Sequence, residues 1–352
     1  MSGAYVAVEG GTVIEGRARS PGRAQGELVF TTAYTGYEES LTDPSYEAQV
    51  LTFAYPLIGN YGVREERFES DRVHPSAALA REFTDDVAAW LREADVPAVD
   101  RLDTRSVVTD VREAGVKRCG IAAGPDATPE DARAELRACP AMADREAIGA
   151  RVSVTEPRTH GDGAGPRVAL VDCGTKGSIV ESLVARGATV DVLPHDATPA
   201  QVDARDPDVL FVSNGPGDPA TFEAAYDLVR EFLDELPIAG ICLGQQVVAR
   251  ALGGDTRKME FGHRGVNQPV RDLESGRVVM TTQNHGYAVA DPGSLDVTQV
   301  NVNDDTPEGL DDPERDVLTR QYHPEANPGP HDTLDFFGDV LAMCNECSVA
   351  AD

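Results

Sequence analysis

Lysine is nearly missing from this chain. Only Lys117, Lys176 and Lys258 stand among 31 basic residues, and 60 acidic residues face them, for a net charge of −29. A field this negative repels nucleic acid and anionic membranes, so neither is expected as a partner. The acid is spread along the chain and not gathered in a tail, which describes a solvated surface and not a local acidic interaction segment. Such a surface suits a cytosol of very high salt, where the Debye length is only about 3 Å at 1 M.

Other absences narrow the class further. No apolar run approaches the roughly 18 residues that span a bilayer. The segment before Gly16 carries Glu9 and Glu15 and no basic stretch, so no secretory signal is expected and the protein should be soluble and cytoplasmic. The six cysteines (119, 139, 173, 242, 344 and 347) are irregularly spaced, and disulfides are not expected in such a compartment. Cys344 and Cys347 form a lone CxxC without a second pair, which reads as packing of a terminal helix. No Gly-x-x-x-x-Gly-Lys-Ser/Thr loop is present, so no nucleotide cofactor is expected on this chain. The histidines do not fall at metal-ligand spacings, and no metal site is expected either.

What is present is enough for two domains with proper cores: 352 residues, 41% of them hydrophobic, with 33 Gly and 23 Pro. The first half reads as a mixed β/α domain. Tyr5–Val8 and Thr12–Ile14 flank Gly10-Gly11, a hairpin signal, and Leu28–Phe30 and Val50–Phe53 read as further strands. Phe83–Ala94 has helical periodicity, and Thr128-Pro129-Glu130-Asp131 is a helix start. Residues 156–166 are polar and rich in Gly and Pro, the best linker between a first domain (1–155) and a second (167–352). Beyond it, continuous apolar strands at 167–171, 189–193 and 209–212 alternate with helices. That pattern predicts a doubly wound, mostly parallel α/β sheet, with reactive groups beyond the carboxyl ends of its strands.

One such end carries Gly240-Ile241-Cys242-Leu243-Gly244, a cysteine between two glycines after the apolar Pro237-Ile238-Ala239. This is the form of a nucleophile held on a tight strand-to-helix turn. The glycines permit unusual backbone angles, the bend pushes the thiol outward, and the following helix aims its N–H groups and positive dipole end at the sulfur, which favours thiolate. A second strand end carries Asn214-Gly215-Pro216-Gly217-Asp218, a rigid turn whose glycines let a substrate approach the backbone. Acyl chemistry at a thiolate needs two N–H donors for the oxyanion, and Gly217 and Leu243 are the natural ones. The nucleophile also needs a base with an orienting group. His323 in Tyr322-His323-Pro324-Glu325 stands out, with the Glu325 carboxylate two residues on. His285, in Gln283-Asn284-His285-Gly286-Tyr287, and His263 are other candidates.

In this order, the motifs resemble the class I (triad) glutamine amidotransferases from about Arg167 onward. In the first half, 35–46 (Thr-Gly-Tyr-Glu-Glu-Ser-Leu-Thr-Asp-Pro-Ser-Tyr), 55–62, Asp103-Thr104-Arg105 and 261–267 look like the N-terminal domain of carbamoyl-phosphate synthase small subunits. The resemblance covers essentially the whole chain. It implies a glutaminase with Cys242 as nucleophile, His323 as general base and acid, and Glu325 as its orienter. It further implies that L-glutamine is held by Ser45, Gly215, Gly217, Leu243, Gln246, Asn284, Gly286 and Tyr287, with Ser45 contributed by the first domain, so that the site lies near the domain interface. The family partner is a large subunit that binds ATP and magnesium and joins ammonia to bicarbonate, for arginine and pyrimidine biosynthesis. Gln245 and Cys173 depart from some relatives, at positions to which the family assigns no catalysis. Two other readings compete: a glutaminase subunit serving another synthetase, which the extra N-terminal domain disfavours, and a noncatalytic regulatory subunit, which an intact triad disfavours.

Overall fold

The computed structural model describes residues 3–145 and 147–349, with the backbone alone for 345–349. The chain divides into two units, one running to Arg145 and including Glu260–Gly265, the other holding the remainder.

In the first unit, seven strands among the described residues close into a barrel. Gly3–Val8 and Val13–Ser20 form the hairpin over Gly10-Gly11, and Gly22–Thr31 pairs in parallel with Gln49–Phe53. Side chains alternate across each strand, so neighbouring positions serve different cores. Val6, Leu28, Val50, Leu79 and Ile121 pack with Val107 and Val111 of the helix Thr104–Ala114. Val29, Leu51 and Phe53 pack instead with Val87 and Leu91 of the helix Asp85–Glu93. Thr128 caps the helix Pro129–Ala138 in a reciprocal box with Asp131, as its sequence predicts.

The second unit is built on a ten-stranded sheet. Five adjacent strands run parallel, in the order Thr189–Pro194, Arg167–Asp172, Val209–Val212, Ile238–Ile241, Val317–Arg320. Their apolar residues are buried, and Val168, Leu170, Phe211 and Ile241 pack against Ile179, Leu183, Phe337 and Val340 from the helices Gly177–Val184 and Phe336–Val349. The α/β class is as the sequence pattern implies. An antiparallel half, in which Pro307–Asp312, Asp296–Asn301, Asp255–Asp272 and Val278–Asp291 extend the sheet, is not visible in that pattern. The polar stretch 156–166 contains an edge strand, Arg158–His160, antiparallel to Thr189–Pro194. Residues just before it also fold onto this unit, since the Val154 N–H donates to Asp172 and Gly149 abuts His195.

No helix among the described residues is long and apolar enough to cross a membrane. Cys344 is buried in the terminal helix, where its thiol contacts the Val340 carbonyl. The side chain of Cys347 lies outside the described residues.

Candidate active site

The strand Ile238–Ile241 ends at Cys242 and the helix Leu243–Ala251 begins at once. Cys242 itself takes the unusual backbone angles, φ 56° and ψ −106°, a conformation that costs about 1–3 kcal/mol in a residue with a side chain. The flanking glycines serve a different purpose from the conformational one expected of them. A Cβ on Gly244 would lie 2.1 Å from the Val212 carbonyl oxygen, and one on Gly240 would lie 2.8 Å from the Gly244 backbone. They let the turn sit tight against the neighbouring strand while the cysteine carries the strain. The Cys242 N–H donates to the Arg320 carbonyl (2.7 Å), which ties the turn to the next strand. Nor does the bend push the residue outward. Cys242 is 2% exposed, and its sulfur makes a long 4.0 Å contact with the Asn284 carbonyl.

His323 follows the strand Val317–Arg320 and is held by a bridge to Thr282, its N–H donating to the Thr282 carbonyl. Its Nδ1 lies 2.6 Å from Glu325 Oε1, both side chains being buried. Its Nε2 is buried with no hydrogen-bond partner, and the Cys242 sulfur is among the groups that act on the ring. Burial alone would push the imidazolium down, but the Glu325 carboxylate and Cys242 more than offset it, and His323 is raised well above its ordinary value. Burial would likewise push Glu325 up, yet Lys176 and His323 hold it well below the usual carboxylate range.

Lys176 is the residue that motif order does not reveal. Its Nζ donates to Glu325 Oε1 (3.0 Å) and to the carbonyls of Ala326 (2.8 Å) and Asn327 (2.9 Å), and the side chain is 3% exposed. Three convergent acceptors suit a compact ammonium with three donors better than a planar guanidinium fork. That is a physical reason for one of only three lysines to stand here while the other 28 of the 31 basic residues are arginine. Rarity is the sequence signal that points to it.

The remaining candidate residues of this unit surround the same turn. Gly215 passes so close to Cys173 that a Cβ would meet its carbonyl oxygen at 2.1 Å, and it also lies against Leu243. Gly217 has φ +92° and lies against Ile148. Gln246, buried in the helix after Cys242, donates from Nε2 to the Tyr287 carbonyl (2.8 Å) and to Gln321 Oε1 (3.0 Å). Asn284, Gly286 and Tyr287 lie on the strand Val278–Asp291, which reaches Cys242 through Asn284 and His323 through Thr282. His285 is engaged at both ring nitrogens, by the Tyr287 carbonyl and by Gln283 Oε1, so it is a strut and not a base. His263 and Ser45 belong to the first unit. Ser45 is buried there in the short helix Pro44–Tyr46, where its N–H donates to Asp43.

A thiol on a strained turn, the buried imidazole with its unsatisfied nitrogen, and a carboxylate behind that ring are the parts of a nucleophile–base–orienter set. Comparison with known proteins gives the family. Residues 169–343 match the model for class I glutamine amidotransferases, and residues 6–121 match that for the CPSase domain of carbamoyl-phosphate synthase small chains. The chain is 71% identical to a carbamoyl phosphate synthase small chain of Halobacterium salinarum, over 98% of each chain. It is 42% identical to one of Archaeoglobus fulgidus, over 97% of this chain and 99% of that one. It is 41% identical to an arginine-specific small chain of Geobacillus stearothermophilus, over 96% of each. With near-complete coverage at these identities, and with both domain models matched in order, this chain belongs to the carbamoyl phosphate synthase small chain family.

Proposed function

We propose that this chain hydrolyses glutamine through Cys242, His323 and Glu325 and delivers the ammonia to a carbamoyl phosphate synthase large subunit. The observation that carries the chemistry is the buried His323, bound to Glu325 at 2.6 Å through Nδ1 while its Nε2 is left for a proton that moves. The Cys242 thiolate attacks the side-chain amide carbon of glutamine. The developing oxyanion takes hydrogen bonds from the N–H groups of Leu243, first in its helix and so without an intrahelical acceptor, and of Gly217. Loss of one such donor costs about 2.7–4 kcal/mol in the barrier. His323 gives its proton to the leaving nitrogen, which departs as ammonia and leaves a glutamyl thioester. The same imidazole then takes a proton from water, hydroxide adds to the thioester, and glutamate leaves as the thiol is restored.

Glutamine is held, on this reading, by Ser45, Gly215, Gly217, Leu243, Gln246, Asn284, Gly286 and Tyr287. ATP and magnesium act on the partner subunit, and the carbamoyl phosphate serves arginine and pyrimidine synthesis. The arginine-specific name of the Geobacillus relative supports the first of these destinations. The charge of −29 supports a cytosol of high salt. In the complex with the large subunit, Cys242→Ser is expected to abolish carbamoyl phosphate synthesis from glutamine while synthesis from ammonia survives. Normal use of glutamine by that variant would refute the assignment of the nucleophile.

A further inference from the structure

The chain from Arg320 to His323 has two faces. Gln321 and His323 point toward the catalytic turn, the first accepting from Gln246 and the second bonded to Glu325. Arg320 and Tyr322 alternate with them and line a cleft of about 250 Å³. Phe336 and Thr333 are its other buried walls, and Arg277, Asp335 and Asp339 are exposed at its edge.

The charges in this cleft are of both signs and are not spent on one another. Both hydrogen bonds of Arg320 leave from Nη1, to Asp311 (2.6 Å) and to the Thr319 carbonyl (2.7 Å), and the guanidinium lies over the Phe336 ring (5.8 Å), so Nε and Nη2 keep donors that make no hydrogen bond among the described residues. Its side chain is only 11% exposed. Arg277, Asp335 and Asp339 enter no ion pair among the described residues. Partial desolvation at the cleft edge pushes the Asp339 carboxyl up, against the pull of Arg320. A guanidinium with unused donors and carboxylates outside any ion pair, lining one cleft, are the complement of a zwitterion. The cleft is small for a ligand site, which restricts the occupant to a small molecule.

We propose that this cleft is a second amino-acid site, binding the α-carboxylate of a free amino acid at Arg320 and Arg277 and its ammonium at Asp335 and Asp339. Occupancy reaches the thiol over a short path: the Arg320 carbonyl accepts the Cys242 N–H, and Tyr322 directly precedes His323. This coupling rests on the catalytic reading of Cys242 and His323; the binding does not.

Equilibrium dialysis of the full chain separates the two. Four aspartates against two arginines in the lining favour a basic side chain, so L-lysine is the first probe and L-glutamate the second. Saturable binding of one L-lysine per chain is expected. Arg277→Ala and Asp335→Asn should each weaken it roughly tenfold, and 1,5-diaminopentane, lysine without its carboxylate, should bind roughly tenfold more weakly. Equal binding of the diamine would show a patch for cations only, and binding untouched by both substitutions would place the ligand elsewhere. Either result, or no saturable binding, overturns the site. Tighter binding of L-glutamate than L-lysine, if lost in Arg277→Ala, would keep the site and assign it to the reaction product. In the complex, saturating L-lysine should change kcat/KM for glutamine in the wild type and not in Arg277→Ala. An unchanged kcat/KM in the wild type, with binding intact, overturns the coupling alone.

Discussion

Two sets of opposite charges in this protein have nearly the same bond lengths and very different consequences. At the active site, Lys176, Glu325 and His323 meet at 3.0 and 2.6 Å with their side chains almost fully buried. On the helix Pro129–Ala138, Arg137 meets Glu130 at 2.7 Å with both side chains about two-thirds exposed. Distance does not separate these pairs; water does. An exposed partner lost is replaced by solvent, whereas a buried partner lost leaves a charge with nowhere to go. The surface pairs can therefore be numerous and individually dispensable, while the buried chain of three must be kept whole.

The largest effect is expected where that chain is cut. Lys176→Met strands Glu325 without its second cation, and breaking a buried pair costs about 3–5 kcal/mol of stability. Glutamine hydrolysis should fall on the order of 100-fold, the lower end of what a positioned acid–base group contributes. Synthesis from ammonia by the complex should persist, which distinguishes lost positioning from general unfolding. Lys176→Arg should also be impaired, because a planar fork cannot meet one carboxylate and two carbonyls placed around a point. Full activity in the arginine variant would show that the charge alone matters.

The two charge systems should also differ in their response to pH. Glu325 is lowered in the folded state, so its contribution is present above its unfolded value, about 4.3, and is lost as pH falls through the folded one. His323 is raised, so its contribution is full below its unfolded value, about 6.5, and is lost as pH rises through the folded one. The pair therefore contributes most between about pH 4.3 and 6.5. The gap in denaturation midpoint between wild type and Glu325→Gln should be widest there and narrow toward alkaline pH. A gap of constant size across the range would show that the two groups do not titrate as a pair.

The same division between buried and exposed explains how far the sequence could be read. Cys242, His323 and Glu325 are legible because motifs fix them: a turn between glycines, and a carboxylate two residues from a histidine. The parallel strands are legible because burial on both faces makes them continuously apolar, as at Val209–Val212. The strand Asp255–Asp272 is not, since its mostly exposed and half-buried pattern lacks any such run. Arg158–His160 is exposed throughout and carries no apolar alternation; its backbone ladder and the Thr159 hydroxyl, which donates to Asp191, hold it to a partner strand that no local pattern reveals. The strain at Cys242 and the close approach behind Gly244 depend on a carbonyl some thirty residues away in the chain, at Val212, which no local pattern encodes. Lys176 pairs with a residue 149 positions distant.

The smallest effect is expected on the surface. Arg137→Ala removes the bond to Glu130 and leaves a carboxylate that is already in water and can take a counter-ion from it. The substitution makes the net charge −30 from −29, a change that high salt screens within a few ångströms. The denaturation midpoint and glutamine hydrolysis should both match the wild type in molar salt, with any loss of stability confined to low salt, where the repulsion among 60 acidic residues is least shielded. A drop in midpoint that persisted in molar salt would mean that this exposed pair behaves like the buried one, and would break the distinction drawn between them.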